Sequence, residues 1–117
     1  MATTPDEAVQ WIARHRNQPL RIVKREANDR DEIRLELDEV EVRRSRRYDP
    51  ENYTADEAIV LRGSGLVIAD GGTAAPLPLE TYEIPLDVGF TAQESGNGLI
   101  ITNERADYSI SPIDRRA

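Results

Sequence analysis

The stretch that decides the fold is residues 32–47, EIRLELDEVEVRRSRR. Ile33, Leu35 and Leu37 alternate with charged side chains, which is typical of a strand with one dry and one wet face. Val40 and Val42 continue the alternation, but one residue out of phase. A slip of this kind turns the later side chains to the other face, so the sequence predicts a β-bulge at Asp38-Glu39 that restores the phase.

A helix is the competing interpretation of the same stretch. Ile33, Leu37 and Val40 also fit the i, i+4, i+7 spacing of one helical face, and Glu and Arg form helices readily. That helix would leave Leu35 and Val42 facing water. The strand accounts for all five apolar residues, so we favour the strand.

An N-terminal helix is predicted over residues 4–17. Thr4, Pro5 and Glu7 form a helix start with a capping-box partner. Ala8, Trp11, Ile12 and His15 follow at helical spacing and form one stripe that we expect to pack on a sheet (Trp11 in the core, His15 at the border). Pro19 ends the pattern.

The remaining chain, residues 20–110, has the pattern of a β-rich region. Residues 20–26 predict a first strand, and the polar residues 27–31 predict a turn that pairs it with the deciding stretch. The glycines of residues 62–65 predict a hairpin between 58–61 and 66–69, and Asn97-Gly98 predicts another between 88–92 and 99–102. Residues 79–86 predict a short or edge strand bounded by prolines, 108–110 a last strand, and 111–117 a frayed tail.

The fold class is therefore α+β, in one domain of residues 1–117. We expect one N-terminal helix followed by a curled, mostly antiparallel sheet or partial β-barrel of seven to eight short strands. The chain is polar for a globular domain, with 38% hydrophobic and 32% charged residues, so we expect a thin core.

The amino-acid composition and the charge argue against several classes of function. Without cysteine there is no disulfide framework and no thiolate chemistry or zinc–cysteine site. No apolar run has the length of a signal peptide or a membrane span, so a cytoplasmic location without membrane contact is expected. The net charge of −7 argues against nucleic acid as a partner. Residues 1–47 carry a net charge of +1 and residues 48–117 carry −8, which suggests that the two halves face each other.

The dense basic run is the sharpest candidate binding site. Its residues are Arg43, Arg44, Arg46 and Arg47, followed by Tyr48 and Tyr53. Arginine forks bind carboxylates and phosphates, and tyrosines stack on rings. The alternative is a solvated strand end that pairs with the acidic second half of the chain. Residues 70–72 (Asp-Gly-Gly) and the acids of 28–32 predict turns rather than phosphate or calcium sites, and we expect no cofactor and no metal.

These observations favour a non-catalytic binding or interaction domain over an enzyme. Its partner is expected to be a protein or a second copy of the chain, as in a homodimer, bound through a strand edge or an apolar sheet face. One alternative is a small-ligand pocket or a carboxylate-and-arginine enzyme inside a curled sheet. The other is recognition of an acidic or phosphorylated partner through residues 43–47.

Overall fold

The structure, a computed structural model, describes residues 3–44, 57–86 and 89–113. This part of the chain contains one α-helix and ten β-strands in two antiparallel sheets. The helix is α1 (Pro5–Ala13), and the strands are β1 (Pro19–Glu26), β2 (Asp29–Glu36), β3 (Glu39–Arg43), β4 (Ala58–Arg62), β5 (Gly65–Ile68), β6 (Ala74–Pro76), β7 (Thr81–Pro85), β8 (Thr91–Ser95), β9 (Gly98–Thr102) and β10 (Asp107–Pro112).

Seven strands form a large sheet in the order β6-β5-β2-β1-β10-β9-β8, and three form a small sheet in the order β3-β4-β7. The α+β class and the mostly antiparallel sheet are confirmed. Neither sheet closes into a barrel, and ten short strands replace the expected seven to eight.

One hydrophobic cluster joins the two sheets and the helix. The large sheet contributes Leu20, Ile22, Ile33 and Leu35 among others, the small sheet Val40, Ile59, Leu61 and Ile84, and the helix Ala8, Trp11 and Ile12. The alternation in β1 and β2 thus directs one face of the large sheet into this core and leaves the opposite face outward.

Helix α1 begins as the sequence predicts. The Thr4 hydroxyl accepts from the Glu7 backbone N–H, and the Glu7 carboxylate accepts from the Thr4 N–H, each at 3.1 Å. The helix ends at Ala13 instead of residue 17, because residues 14–17 form turns and Asn17 adopts a positive φ of 65°. His15 lies one turn beyond Trp11, with its Nδ1 3.1 Å from the Trp11 carbonyl oxygen.

The deciding stretch is extended as far as the structure describes it, so the helical alternative is wrong. The predicted bulge is also wrong: β2 ends at Glu36, and β3 begins at Glu39 in the other sheet. The linker residue Leu37 is fully buried and Val40 nearly so. The change of phase therefore marks the point where the chain passes from one sheet to the other.

The hairpin predicted between residues 58–61 and 66–69 is likewise a crossing between sheets. β4 pairs with β3 and β7, whereas β5 pairs with β2 and β6. A Cβ added at Gly63 would lie 1.9 Å from the Glu36 carbonyl oxygen, and one at Gly65 would lie 2.1 Å from that of Arg34. The glycines are needed for close backbone approach to β2 rather than for a tight turn.

The other predicted strands are present in the structure and differ from it mainly in the residues at which they begin and end. β1 pairs with β2 around an Ala27-Asn28 turn, as expected. β8 and β9 form the second hairpin, but its turn is Gly96-Asn97. Residues 78–80 form a 3-10 turn before β7, and β10 extends to Pro112, so part of the predicted tail is paired strand; residues 114–117 lie outside the described residues.

Candidate functional site

The predicted basic site is only partly within the described residues. Arg43 ends β3, and its guanidinium donates to both carboxylate oxygens of Glu83 on β7, at 2.9 and 3.0 Å. Arg44 donates to Asp6 of the helix at 3.4 Å. The other four predicted residues, Arg46, Arg47, Tyr48 and Tyr53, lie outside the described residues.

The contact of Arg43 is of the kind expected from the alternative in which the acidic second half of the chain pairs this strand end, whereas Arg44 contacts Asp6 of the first half. Glu83 belongs to the acidic second half of the chain, and the hydrogen bonds from Arg43 hold the pKa of Glu83 below its ordinary value. A site formed by the whole basic run remains a prediction.

We call the side of the large sheet that faces away from the core the outer face. Strand register assigns to it Leu66 and Ile68 of β5, Arg30, Glu32 and Arg34 of β2, Arg21, Val23 and Arg25 of β1, Asp107, Ser109 and Ser111 of β10, and Ile100 and Thr102 of β9.

Apolar side chains are exposed on both sides of the outer face. Leu66 is 45% exposed and Ile100 is 41% exposed; apart from Leu79, they are the exposed large hydrophobic residues of the described ranges. Val23 lies between them on the central strand and is only 7% exposed, even though it points away from the core. The side chains around Val23 therefore shield it.

Four arginines surround Val23 and Glu32 in what we call the arginine cluster. Arg21 is the direct cross-strand partner of Arg34, and Arg25 is the direct partner of Arg30. Glu32, the partner of Val23, stands in the row between these two pairs. Like charges placed directly opposite each other destabilise a sheet, so the cluster needs negative charge.

Glu32 provides that charge to one of the two pairs. Its carboxylate accepts from Arg21 Nη2 at 3.0 Å and from Arg34 Nε at 2.7 Å. These bonds, first from Arg21 and then from Arg34, hold the pKa of Glu32 below its ordinary value, although burial acts in the opposite direction. The Arg21 Nε is buried and has no hydrogen-bond partner, so the cluster holds more donors than acceptors.

The remaining titratable groups offer weaker candidates. Burial raises the pKa of the Tyr82 hydroxyl, with a smaller contribution from nearby Tyr108, and the capping hydrogen bonds from Thr4 lower that of Glu7. In the described ranges, no group of three or more His, Asp or Glu side chains is placed to hold a metal ion. Each shifted pKa is explained by local structure and does not by itself indicate catalysis.

Two surface depressions are lined in part by titratable side chains. One, of about 80 Å³, lies beside the helix and is lined by Glu7, Trp11, Arg14 and Glu94 among others. The other, of about 360 Å³, is open to solvent at the end of β1 and is lined by Arg25, Ala27 and residues 103–107. Asn103 holds the loop that lines it, because its Oδ1 accepts from the N–H groups of Arg105 and Ala106, each at 2.9 Å.

Comparison with known proteins assigns the chain to a family. Residues 1–114 match the YmzB-like protein family. The chain belongs to that family. It is similar to "Uncharacterized protein YmzB" of Bacillus subtilis (strain 168), with 34% identity over 116 residues that cover 94% of this chain and 96% of the relative. No solved structure matches the chain.

The family match does not indicate a ligand, so the function must be argued from the surface. Within residues 3–44, 57–86 and 89–113, no helix is both long and apolar enough to cross a membrane.

The arginine cluster was missed in the sequence because its members are far apart along the chain. Arg21, Arg25, Arg30 and Arg34 are spread over 14 residues, whereas residues 43–47 hold four arginines within five. A usable signal was present: around a two-residue turn at Ala27-Asn28, each arginine of β1 faces an arginine of β2. The broader turn predicted over residues 27–31 left this register undefined.

Proposed function

We propose that this protein is a non-catalytic protein-interaction domain that binds its partner on the outer face of the large sheet. The observation that supports the proposal is the combination on one face of exposed Leu66 and Ile100 with the arginine cluster between them. Protein interfaces commonly combine apolar anchors with arginine.

The size of the outer face suits a protein partner. Seven strands at a spacing of about 4.8 Å span roughly 34 Å, and strands of about five residues are roughly 17 Å long. The resulting area, on the order of 600 Å², approaches the roughly 800 Å² that each partner contributes to a standard interface.

Strand edges are less suited to the role. β6 and β7 contain Pro76 and Pro85, and proline cannot donate to a ladder. β3 is contacted by α1, and the Ala92 carbonyl of β8 accepts from the Thr3 N–H at 2.9 Å. These features oppose edge-to-edge pairing, so association through the face is favoured over association through an edge.

The positive charge of the arginine cluster favours an acidic partner. The arginine cluster places four cations and one carboxylate on a chain whose net charge is −7. An acidic protein segment with apolar side chains would complement both the arginines and the exposed Leu66 and Ile100. A second copy of this acidic chain is the simplest protein partner to test.

Sedimentation velocity on the purified chain first determines whether it self-associates. A photoreactive side chain at Ile100 then reports contact on the outer face, and one at Glu39, on the outward side of the small sheet, is the matched control. We expect adducts from position 100, with a second copy or with another protein of a cell extract, and none from position 39.

A captured protein counts only if it binds the purified wild-type chain and loses binding to the Leu66→Asp/Ile100→Asp variant. No adduct from position 100, or equal adducts from both positions, would overturn the proposal.

A further inference from the structure

The two arginine pairs of the outer face are built alike but are neutralised differently. Arg21 and Arg34 face each other across β1 and β2, and so do Arg25 and Arg30, four residues nearer the turn on each strand. Both pairs bring two cations together on one side of the hairpin. Among the described residues, a carboxylate within hydrogen-bond distance of both arginines is found only for Arg21 and Arg34, which share that of Glu32.

The second pair has no equivalent partner. Arg25 and Arg30 are both exposed, and neither forms an ion pair with any carboxylate in the described part of the chain. Asp107 is the other cross-strand neighbour of Arg25 on the same face, but it is not in ion-pair contact. Arg25, Arg30 and Asp107 together leave a charge of +1.

Space for a ligand lies beside this pair. Arg25 lines the open depression of about 360 Å³, together with Glu104, Arg105 and Asp107. The two carboxylates of this lining limit how much negative charge can be accommodated. A single small anionic group fits that balance better than a long acidic surface does.

We propose that Arg25 and Arg30 bind one carboxylate or phosphate group, in the way that Arg21 and Arg34 bind the carboxylate of Glu32. Guanidinium forks bind both kinds of group through paired N–H···O hydrogen bonds. On the protein partner, that group is an acidic or a phosphorylated side chain; this assignment rests on the proposed function, whereas the anion site itself does not.

The test uses the Nε–Hε resonances of the arginine side chains, followed by NMR at constant ionic strength. Separate titrations use inorganic phosphate, acetate and, as the control ion, chloride. We expect saturable shifts at Arg25 and Arg30 with a dissociation constant in the millimolar range, and little change at Arg21 and Arg34. A stronger response to phosphate indicates a phosphorylated partner, and an equal response to acetate indicates an acidic side chain.

Three variants sharpen the result. Arg30→Gln should weaken phosphate binding at least fivefold, and Arg62→Gln, which removes an arginine paired with Glu41 on the small sheet, should leave it unchanged. Glu32→Gln should strengthen binding severalfold because it releases Arg21 and Arg34. Backbone spectra confirm that each variant is folded.

Unchanged binding in Arg30→Gln, or equal shifts at Arg43, Arg44 and Arg62, would overturn the anion site. The two proposals can fail separately. Saturable binding at Arg25 and Arg30 without adducts from Ile100 would support the anion site and remove the protein-interaction function, whereas adducts from Ile100 without anion binding would do the reverse.

Discussion

The outward faces of the two sheets use the same arrangement with opposite charge balance. On the small sheet, Val60 of the central strand is 1% exposed, and Glu41 and Glu83 are its cross-strand partners. Each glutamate is paired with one arginine, Glu83 with Arg43 and Glu41 with Arg62. These two ion pairs cancel, and Glu39, on the same side of β3, leaves a charge of −1 on this face.

On the large sheet, Val23 of the central strand is shielded in a similar way, but four arginines stand against two carboxylates, those of Glu32 and Asp107, and only Arg21 and Arg34 are paired with Glu32. The small sheet pairs both of its outward arginines, whereas the large sheet leaves two of its four arginines to be paired from outside. Arginines that have no carboxylate partner on their face, rather than a dense run in the sequence, thus distinguish the candidate binding surface from the other one.

The largest expected difference between the faces comes from one substitution made on each. Val60→Asp places a carboxylate at a buried position between two glutamates and should lower the free energy of unfolding by roughly 3 kcal/mol or more. Val23→Asp places the carboxylate among four arginines that can donate to it, so the loss of unfolding free energy should be smaller by at least about 1.5 kcal/mol, the lower end for a hydrogen bond to a charged group. Urea denaturation measures both, and equal losses would contradict the charge difference.

A second comparison removes one carboxylate from each face. Glu32→Ala leaves two facing arginines without their shared acceptor, and Glu32 is only 9% exposed, so a loss of about 1–3 kcal/mol is expected. The Glu83 side chain is 45% exposed, and Glu83→Ala should cost less than about 1 kcal/mol. The order of the two losses is decisive: a costlier Glu83→Ala would show that the Glu32 bonds are weak.

The pH dependence of the unfolding free energy distinguishes the contribution of Glu32 from that of Glu83. Because its pKa is lower in the folded chain, the contribution of its charge is fully present above the unfolded-state value of about 4.3 and disappears as the pH falls through the folded value. The difference in unfolding free energy between the wild type and Glu32→Gln should be constant from pH 6 to 8 and shrink below about pH 4.

Denaturation series at each pH measure that difference, and Glu83→Gln serves as the control from the small sheet. Its difference should follow the same direction but be smaller and more sensitive to salt, because its ion pair is more exposed. A Glu32→Gln difference that does not change with pH would exclude the charged pairing of Glu32.

The smallest change in stability is expected when one arginine of the facing pair Arg25 and Arg30 is replaced. Arg30→Gln removes one of two facing cations and no ion pair, so stability should stay within about 0.5 kcal/mol of the wild type or rise slightly. Arg43→Gln breaks a bidentate pair with Glu83 and should lower stability slightly. Thermal unfolding of both variants checks the sign, and a clear loss in Arg30→Gln would reveal an unrecognised partner.

The fold could be predicted as far as local patterns determine it. The capping residues of α1 and the alternation in β1, β2 and β3 were visible because they depend on near neighbours in the chain. Pairing between sheets was not visible: the phase change after Leu37 looks the same for a bulge and for a crossing, and Gly63 and Gly65 look the same in a hairpin and in a close approach to β2.

The candidate site was harder to predict for the same physical reason. The local density of arginines pointed to residues 43–47, but the described members of that run, Arg43 and Arg44, have acidic partners in the domain. The arginine cluster exists only through the register of β1 against β2, which a shift of one residue would remove.

The measurement that tests the central claim most directly is the thermal stability of the wild type in phosphate and in chloride at equal ionic strength. A ligand that binds only the folded state raises its stability. We expect phosphate to raise the Tm of the wild type by about 2–4 °C and to leave that of Arg25→Gln and Arg30→Gln nearly unchanged. The same increase in all three proteins would contradict a specific anion site on the outer face.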